Sequence, residues 1–319
     1  MRIAVVIVNW NAREDLLACL ASLEAQTDRE FHTVVVDNGS EDGSLQMIAA
    51  RFAWVEVVDT GQNLGFAEGT NRGILAAHAD WIATLNNDTV ADPRWIEVLR
   101  STAQAGDDRL GMIQSRLVFM QHPDRTNSTG VLLYTTGWAE DRDFDVPLRS
   151  DDRPEPVFCT TAGAGLYRSS MLEEIGLRTG VFDRTFFMYY EDVDLGWRAR
   201  LAGWSAIYAP DAIVAHKFQA SSRRRENRFI GLHIRRNRIR MLLKNGSWSF
   251  ILRTLPRTLY NLCEAILWKG PMVLPQFVRA VADGLQGRRE FASLVRVNRR
   301  DVEDAWVVDQ RTKRSALSK

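Results

Sequence analysis

Three polar clusters stand at the ends of short apolar runs, and their residue types could do chemistry together. The clusters are Asp37-Asn38-Gly39-Ser40, Asn86-Asn87-Asp88-Thr89 and Glu191-Asp192-Val193-Asp194. Carboxylates of this kind can hold a divalent cation or take a proton from a reacting hydroxyl group. Because carboxylates are concentrated where predicted strands end, the sequence indicates an active site.

The elements that must position these clusters alternate along the first half of the chain. Residues 5–8, 33–36, 55–58 and 81–85 read as short strands, and helices are predicted over 13–25, 44–51 and 67–78 and from Pro93 onward. This alternation predicts an α/β fold with right-handed βαβ units and a mostly parallel sheet. Ligands bind beyond the carboxyl ends of such strands, so we expect Asp37 and Asp88 to face one ligand.

The pattern loosens after residue 111 and becomes helical and basic after residue 222. Short strands are predicted at 112–117, 130–134 and 158–161, with a polar loop at 141–156 and helices at 168–175 and 193–202. Further helices are predicted over 224–244, 248–268 and 271–285. We therefore divide the chain into a domain of residues 1–222 and a basic amphipathic helical region of residues 223–319.

Composition and charge narrow the class of protein. The 319 residues are 45% hydrophobic and 25% charged, which is ordinary for a globular protein. The net charge of +1 hides an asymmetry: residues 1–222 carry 19 basic and 32 acidic side chains, whereas residues 223–300 carry 18 and 4. Segregation of this size predicts an anionic partner for the C-terminal part.

The cysteines and the N-terminal sequence indicate the cellular compartment of the protein. Cys19, Cys159 and Cys263 lack metal-ligand spacing and are expected to be free buried thiols, which fits a reducing compartment. The apolar run after Met1 is too short for a signal peptide, and no run approaches the length of a membrane-spanning helix. We expect a cytoplasmic protein, peripheral on the cytosolic face of the inner membrane.

Five motifs together resemble those of inverting glycosyltransferases of family 2, above all bacterial rhamnosyltransferase-like members. They are Val5-Val6-Ile7-Val8-Asn9-Trp10-Asn11, Val36-Asp37-Asn38-Gly39-Ser40, Asn63-Leu64-Gly65-Phe66-Ala67, Asn86-Asn87-Asp88 and Tyr190-Glu191-Asp192-Val193-Asp194-Leu195. Their order and spacing match over roughly residues 3–245. The resemblance implies a Rossmann-like GT-A fold, a nucleotide-sugar donor, a glycan or polyprenyl-diphosphate-linked acceptor and a divalent metal, Mg²⁺ or Mn²⁺.

The resemblance also implies roles for individual residues. Donor binding is implied for Asn9, Asn11, Asp37, Asn63, Gly65, Phe66, Asn71, Asn87 and Asp88. An acceptor-side segment is implied at Gly163, Ala164 and Gly165, where a backbone must pass close to a sugar. Asp37 would recognise the base or ribose, although an Asx turn is the structural alternative. Arg72, on the helix after Gly65, either faces the site or is only solvated.

The metal is predicted at Asp88, and the resemblance implies His216 as a second ligand. The family pattern often has two aspartates where this chain has Asn86 and Asn87 before the single Asp88. Asparagine carbonyls are acceptable oxygen ligands, so we favour a metal held weakly until the donor binds over a site that has lost its metal. A helix cap at Asp88 and a structural role for His216 are the alternatives.

The catalytic pair is predicted at Glu191 and Asp192. In an inverting transfer the acceptor hydroxyl attacks opposite the leaving diphosphate, so a carboxylate must take its proton, and Asp192 matches the family's general base. Glu191 is expected to hydrogen-bond the acceptor or orient the loop, and Asp194 to cap the following helix. A set of helix caps alone is the alternative for the whole cluster.

The basic region predicts attachment to an anionic membrane surface. Its cationic face is expected at Arg223, Arg224, Arg225, Arg235, Arg236, Arg238 and Arg240, beside apolar residues of 250–268. Basic amphipathic helices bind anionic membrane interfaces. No nucleic-acid partner is predicted, because no recognised nucleic-acid motif accompanies the arginines. A homodimer interface through these helices is a third interpretation.

The sequence therefore predicts a metal-dependent inverting glycosyltransferase of bacterial surface polysaccharide synthesis, with rhamnose from dTDP-rhamnose as the leading donor sugar. One alternative is a non-catalytic GT-A-like protein that binds a glycan or nucleotide sugar, which the reduced metal motif alone favours. A nucleotidyltransferase would need a basic, Gly-rich triphosphate loop near the first strand, and Asn9-Trp10-Asn11-Ala12 is not one.

Overall fold

The computed structural model describes residues 1–149, 151–218 and 226–310. Strands and helices alternate in the first third of the chain, as the apolar pattern predicts. Its elements are β1 (Ile3–Asn9), α1 (Arg13–Glu24), β2 (Phe31–Asp37), α2 (Ser44–Arg51), β3 (Glu56–Asp59), α3 (Gly65–Ala77), β4 (Trp81–Leu85), β5 (Thr89–Ala91) and α4 (Trp95–Ala105).

The rest of the described chain adds short strands and then long helices. Its elements are β6 (Leu110–Phe119), β7 (Thr126–Ser128), β8 (Val131–Tyr134), β9 (Ala139–Asp141), β10 (Glu155–Pro156), β11 (Ala164–Arg168), α5 (Ser169–Ile175), α6 (Glu191–Leu201), β12 (Ser205–His216), α7 (Glu226–Asn245), α8 (Trp248–Lys269), α9 (Leu274–Phe291), α10 (Arg299–Trp306) and β13 (Val307–Val308).

The central sheet has the strand order β10-β12-β6-β11-β4-β1-β2-β3, with β5 paired to β12 and β7 to β6. The half formed by β4, β1, β2 and β3 is parallel, and β11 runs antiparallel between β4 and β6. Strands β8, β9 and β13 form a second, small sheet. The mixed, mostly parallel sheet predicted from sequence is confirmed.

Side-chain size explains how the helices lie on this sheet. Strand β1 contains five β-branched residues, and four of them are buried. Helix α3 packs against it through glycines: a Cβ atom on Gly73 would lie 2.2 Å from Cγ1 of Val6. Two apolar cores result, one on each face of the sheet, and they hold the carboxyl ends of β1, β2 and β4 together at one edge.

One strand lies elsewhere than predicted. Residues 158–161 are not a strand; the strand is β11, whose first residues, Ala164 and Gly165, belong to the implied acceptor-side segment. Gly165 pairs with both Thr84 of β4 and Gln114 of β6, so β11 fills the gap between two strands. Its short length and small residues hide this central position from a periodicity argument.

The C-terminal helices pack onto the α/β body. Helix α7 contacts α6, α8 and α9, and β13 extends the small sheet alongside β8. The carboxylate of Glu303 in α10 accepts hydrogen bonds from the backbone N–H (2.5 Å) and the hydroxyl (2.6 Å) of Ser247. Within the described residues no helix is long and apolar enough to cross a membrane.

The predicted cationic face on α7 is wrong for the arginines that the structure describes. Arg238 and Arg240 are 0% and 3% exposed, and Arg235 and Arg236 are only partly accessible. Arg235 pairs with Glu264 at 2.6 Å and Arg240 with Asp283 at 2.9 Å. These side chains therefore tie α7 to α8 and α9, while residues 223–225 lie outside the described residues.

The cysteines are free, as predicted, but they are not all buried. Cys19 and Cys159 lie inside the protein, whereas Cys263 is exposed on α8. Burial raises the pKa of the Cys19 thiol to about 12.

Candidate active site

A cleft of about 420 Å³ opens at the carboxyl edge of the central sheet. It lies beside the loop after β4, the loop before β11, the start of α6 and the end of β12. The sequence-predicted site residues that line it are Phe66, Asp88, Gly163, Glu191, Asp192 and His216. Side chains that are more than a hundred residues apart in the chain therefore face one cavity.

Strand pairing brings Asp88 beside His216. Strand β5 runs antiparallel to the end of β12, with Thr89 opposite His216, and the carbonyl of Asp88 accepts a hydrogen bond from the Lys217 N–H at 3.0 Å. As a result, Oδ1 of Asp88 lies 3.3 Å from Nε2 of His216. The two predicted metal ligands are thus adjacent at the cleft wall.

Asn127 fixes the ring of His216 and was not anticipated from the sequence. Its Oδ1 atom lies 2.8 Å from Nδ1 of His216 and can only accept, so Nδ1 is the donor. In the neutral ring this arrangement leaves the lone pair of Nε2 toward Asp88. Metal-bound histidines characteristically have such a partner on the second nitrogen.

The residues present fit a divalent ion that arrives with a diphosphate. Among the described residues, no three His, Cys, Asp or Glu side chains converge closely enough to hold an ion alone. Asp88 and His216 offer one oxygen and one nitrogen, and the amides of Asn86 and Asn127 line the same cleft. Mg²⁺ and Mn²⁺ commonly take their other ligands from phosphate oxygens and water.

The Glu191-Asp192 pair begins helix α6 at the cleft. Oδ2 of Asp192 accepts a hydrogen bond from the Ala162 N–H at 3.2 Å, and Oδ1 accepts from the Val193 N–H at 2.8 Å. Burial raises the pKa of Asp192. These bonds hold a carboxylate with an elevated pKa at the cleft surface, which suits a general base.

Glu191 lies deeper than Asp192, and its environment favours the neutral acid. Its side chain is buried, and Oε2 has no hydrogen-bond partner within the described part of the chain. Burial, and then the charge of Asp192, raise the pKa of Glu191 well above its usual range. A shared negative charge on this pair therefore resides on Asp192.

Asp194 does not cap helix α6, contrary to the sequence expectation. Its fully buried carboxylate accepts from Nε of Arg198 at 3.0 Å, Nζ of Lys244 at 3.1 Å and Nδ2 of Asn245 at 2.8 Å. Lys244 also pairs with Asp183. This buried ionic cluster locks the helix that carries Asp192 to α7, because each charge has its partner only in the folded chain.

A strained loop that borders the cleft is held by Asn237 of α7. The backbone φ angles of Phe187, Tyr189 and Tyr190 are +66°, +66° and +71°, which non-glycine residues rarely adopt. The Nδ2 group of the buried Asn237 donates to the carbonyls of Phe186, Met188 and Tyr189 at 2.8–2.9 Å. One side chain thus stabilises the loop that leads into Glu191.

A hydrogen-bond chain joins the ends of β4, β1 and β2. Nδ2 of Asn87 donates to Oδ1 of Asn9 at 2.9 Å, and Nδ2 of Asn9 donates to Oδ1 of Asp37 at 3.0 Å. Oδ2 of Asp37 accepts from the Ser40 N–H at 2.8 Å, which is the Asx-turn alternative. Asp37 is 0% exposed, and the backbone N–H of the exposed Asn11 donates to the Ser40 hydroxyl. None of these residues lines the cleft.

Asn63 and Gly65 of the Asn63–Phe66 motif make their contacts within the protein. Oδ1 of Asn63 accepts from the Gly65 N–H at 2.9 Å, and Gly65 has a φ of +81°. A Cβ atom there would lie 2.5 Å from the ring of Phe187, so the close approach that requires glycine is to the strained loop. Only Phe66 of this motif lines the cleft.

Two residues of the helix that follows, α3, also have partners inside the chain. Asn71 is buried and exchanges two hydrogen bonds with the backbone of Phe182. Arg72 pairs with Glu68 on an exposed face, which is the solvated alternative.

The acceptor-side segment divides into two parts. Gly163 lines the cleft, and its carbonyl accepts from the Asn86 N–H at 2.9 Å. Ala164 and Gly165 lie in β11 and away from the cavity. Residues of the preceding turn, Thr161 and Ala162, line it instead.

Other cleft residues were missed at the sequence level. They are Asn127, Val131, Ala139, Glu140, Asp141, Met188, Tyr189 and Ile234, among others. Most come from short strands and loops of residues 127–141, where weak periodicity gives no signal. The polar loop predicted at 141–156 begins at this wall with Asp141, but the sequence indicated no role for it in the site.

Comparison with known proteins adds independent findings. The family described as Glycosyltransferase like family 2 matches residues 1–238. An N-acetylglucosaminyl-diphospho-decaprenol L-rhamnosyltransferase of Mycobacterium tuberculosis is 30% identical over 272 residues, covering 76% of this chain and 85% of that protein.

Two solved structures have a similar fold. GalNAc-T7 with UDP, GalNAc and Mn²⁺ is similar with a TM-score of 0.61 and 16% identity, over 79% of this chain and 49% of that one, so the match spans about half of that protein. The mannosyltransferase PcManGT of Pyrobaculum calidifontis, with GDP-Man and Mn²⁺, has a TM-score of 0.52 and 16% identity, over 95% and 87%.

Proposed function

The chain belongs to glycosyltransferase family 2 and has the GT-A fold, and we propose that it transfers L-rhamnose from dTDP-rhamnose to a polyprenyl-diphosphate-linked glycan. The name of the similar mycobacterial protein supports the sugar, L-rhamnose, and the polyprenyl-diphosphate-linked acceptor. A place in bacterial surface polysaccharide synthesis follows from this acceptor class.

One observation supports the activity most strongly. Asp192, a partly buried carboxylate with an elevated pKa, lines the same cleft as the adjacent Asp88 and His216. A base and a diphosphate-binding pair are the two parts that an inverting transfer needs. The acceptor hydroxyl would approach Asp192, and the diphosphate would leave toward Asp88 and His216.

In the proposed reaction Asp192 takes the proton of the attacking hydroxyl as the new glycosidic bond forms with inversion. A positioned base of this kind contributes about 10²–10⁴ in rate. Glu191 stays neutral beside it and keeps the negative charge on Asp192. Asp88 and His216 would hold a divalent ion, which neutralises charge on the departing diphosphate when it is bound.

The donor pocket is proposed at the edge formed by β1, β2 and β4. Asn9, Asn11, Asp37 and Asn87 would shape this edge through their hydrogen-bond chain, and Asp37 would meet the base or ribose once the Ser40 turn opens to the ligand. Phe66 would contact the sugar from the cleft. The acceptor would lie along Gly163 and the turn before it.

We also propose how the chain is divided and where it works. Residues 1–222 would form the catalytic domain and residues 223–319 an attachment region, whose described helices pack on that domain. An acceptor anchored in a membrane must be met at the membrane surface, so the protein would be peripheral on the cytosolic face.

A donor panel tests the proposal. Nucleotide release would be measured from dTDP-rhamnose and other nucleotide sugars, with Mn²⁺ or Mg²⁺ and with EDTA, and with a GlcNAc-diphosphate-lipid acceptor present. We expect turnover that selects dTDP-rhamnose, needs the acceptor and is lost in EDTA. Turnover that selects another donor would overturn the rhamnose assignment, and donor binding without any turnover would indicate a binding protein instead.

A further inference from the structure

Exposed apolar side chains are concentrated on α8, on α9 and on the turn between these two C-terminal helices. Of the eighteen large apolar residues that are well exposed in the described chain, eleven lie between Trp248 and Val281. Leu267 and Met272 are each 85% exposed, and Val278 is 68% exposed. Such a patch on one part of a protein marks an interaction surface.

Helix α8 presents these side chains as a stripe. Trp248, Leu252, Leu255, Leu259 and Leu267 recur at helical spacing, and all are exposed. The opposite side of the same helix buries Thr254, Asn261 and Ala265. The stripe is therefore the unpacked face of a helix whose other face is fixed to the protein.

The turn after α8 and the start of α9 continue this surface. Met272 and Leu274 are exposed there, while Val273 and Phe277 pack inward against α7 and α8 in a small core. Val278 and Val281 follow on α9. We call the exposed apolar residues of α8, this turn and α9 the apolar surface.

Acidic and basic side chains near the apolar surface differ in their partners. The acidic residues of 248–291 are Glu264, Asp283 and Glu290, and each is bonded to another element: Glu264 to Arg235, Asp283 to Arg240 and Glu290 to the Arg178 N–H. The carboxylates thus have partners within the protein.

The basic residues of the same segment are directed differently. Arg253, Arg257, Lys269, Arg279 and Arg289 are exposed. Arg288 alone turns inward, to the carbonyls of Leu243 and Gly246. The outward charge beside the apolar surface is therefore positive.

We propose that the apolar surface and its surrounding cations dock on an anionic phospholipid bilayer. Exposed leucines and valines can enter the boundary between headgroups and acyl chains, and each nearby Lys or Arg adds about fivefold in affinity for anionic lipid. The exposed cations around the apolar surface favour an anionic bilayer over a neutral apolar partner. Helix α7, which packs under the surface, carries Ile234 at the cleft and Asn237, which bonds to the loop that borders it, so docking would set the cleft near the membrane.

The biological role of membrane docking rests on the proposed function, because that function supplies a lipid-linked acceptor. The vesicle-binding test does not depend on the proposed function. Full-length protein would be floated with vesicles of phosphatidylcholine alone or with added phosphatidylglycerol, at low and moderate salt. We expect binding to the anionic vesicles, weakened by salt, and about a tenfold or greater loss with Leu259→Glu combined with Leu267→Glu.

Matched controls separate the apolar surface from general changes in charge. Leu75→Glu changes a leucine that is 72% exposed on α3, and it should bind vesicles as the wild type does. Arg253→Gln with Arg257→Gln should weaken only the binding to anionic vesicles. Circular dichroism melting would verify that each variant is folded.

Three results would overturn the proposal of membrane docking. Wild-type protein that stays unbound at both salt concentrations, or the double glutamate variant binding like wild type, would overturn it. So would a stable dimer in light scattering that the same variant dissociates, because a second copy would then cover this surface. Transfer to a water-soluble acceptor, measured in parallel, reports the catalytic proposal separately.

Discussion

The Nδ1 atom of His216 lies 2.8 Å from Oδ1 of Asn127, and this bond decides which ring nitrogen faces Asp88. Asn127 is 3% exposed and sits on the three-residue strand β7, which pairs with β6. The amide is thus rigidly placed by a sheet edge, so it can act as an orienting partner for a metal-binding histidine.

Replacement of this amide should weaken metal binding. Asn127→Ala frees the His216 ring, and we expect Mn²⁺ affinity in the presence of nucleoside diphosphate to fall about 10- to 100-fold. Electron paramagnetic resonance titration of free Mn²⁺ measures this directly. His122→Ala, an exposed histidine of the same region, is the matched control. Equal affinity of Asn127→Ala and wild type would refute the orienting role.

The pH profile should report Asp192. Because burial raises its pKa and the base must be ionised, kcat/KM should fall as pH drops through a value above the usual aspartate pKa of about 4. Asp192→Asn should lower kcat about 10²–10⁴-fold and leave donor affinity nearly unchanged. An acid limb at the ordinary aspartate value would contradict the burial of the base.

Glu191→Gln tests whether Glu191 is neutral. Glutamine mimics the protonated acid, so we expect kcat within a few-fold of wild type and an acid limb at unchanged pH. If Glu191 were ionised, removal of its charge would lower the pKa of Asp192 and move the acid limb toward lower pH. Steady-state rates over the same pH series distinguish the two results.

Loss of Asn237 should harm catalysis more than stability. Asn237→Ala removes the bonds to three carbonyls of the strained 186–190 loop, so we expect kcat to fall at least tenfold as the loop and the start of α6 lose their positions. Asn261→Ala on α8 is the matched control, since Asn261 is also buried and its Nδ2 has no bond in the described chain. Similar kinetics for both variants would remove the positioning role.

The buried ion cluster predicts a stability effect. Lys244→Met leaves Asp183 and Asp194 without their common cation, and we expect a loss of about 3–5 kcal/mol in unfolding free energy at neutral pH. Urea unfolding measures it. Lys269→Met, at the exposed end of α8, should change stability by less than about 0.5 kcal/mol. Two variants of equal stability would contradict the account.

The same cluster predicts a pH dependence. Burial alone would raise the pKa of Asp183, but the charge and hydrogen bond of Lys244 outweigh it and hold this pKa well below the usual range. A lowered folded-state pKa stabilises above the unfolded value of about 4, and the contribution is lost as pH falls below it. The stability gap between wild type and Lys244→Met should therefore narrow below about pH 4.

The order of apolar and polar residues along the chain predicted those parts of the fold and site that near neighbours in sequence determine. Alternating apolar runs predicted the parallel half of the sheet, and the polar cluster after β4 indicated Asp88. The resemblance to the family indicated His216, which is the last residue of β12. Asn127 and Asn237 escaped because tertiary pairing alone brings a three-residue strand and a late helix to the cleft. Asn127 lies in no element predicted from sequence, and the helix predicted over 224–244 contains Asn237 without indicating what it contacts.

Two general expectations about charged residues gave wrong predictions, and both have the same physical reason. An acid in the first turn of a helix usually caps it, and arginines usually lie on the surface. Asp194 instead meets Lys244 and Arg198, and Arg240 meets Asp283, because partners distant in sequence satisfy these charges inside the protein. Only the folded chain reveals such partners, so the cationic face was assigned to the wrong helix.

The most direct test of the central claim is the product itself. Wild type and Asp192→Asn would be given dTDP-β-L-rhamnose and a GlcNAc-diphosphate-lipid acceptor, and the anomeric configuration of the new linkage would be determined by NMR. We predict a rhamnosylated acceptor with inverted configuration from wild type and at least a hundredfold less from the variant. A retained configuration, or equal product from both proteins, would contradict the assignment of Asp192 as the base of an inverting transfer.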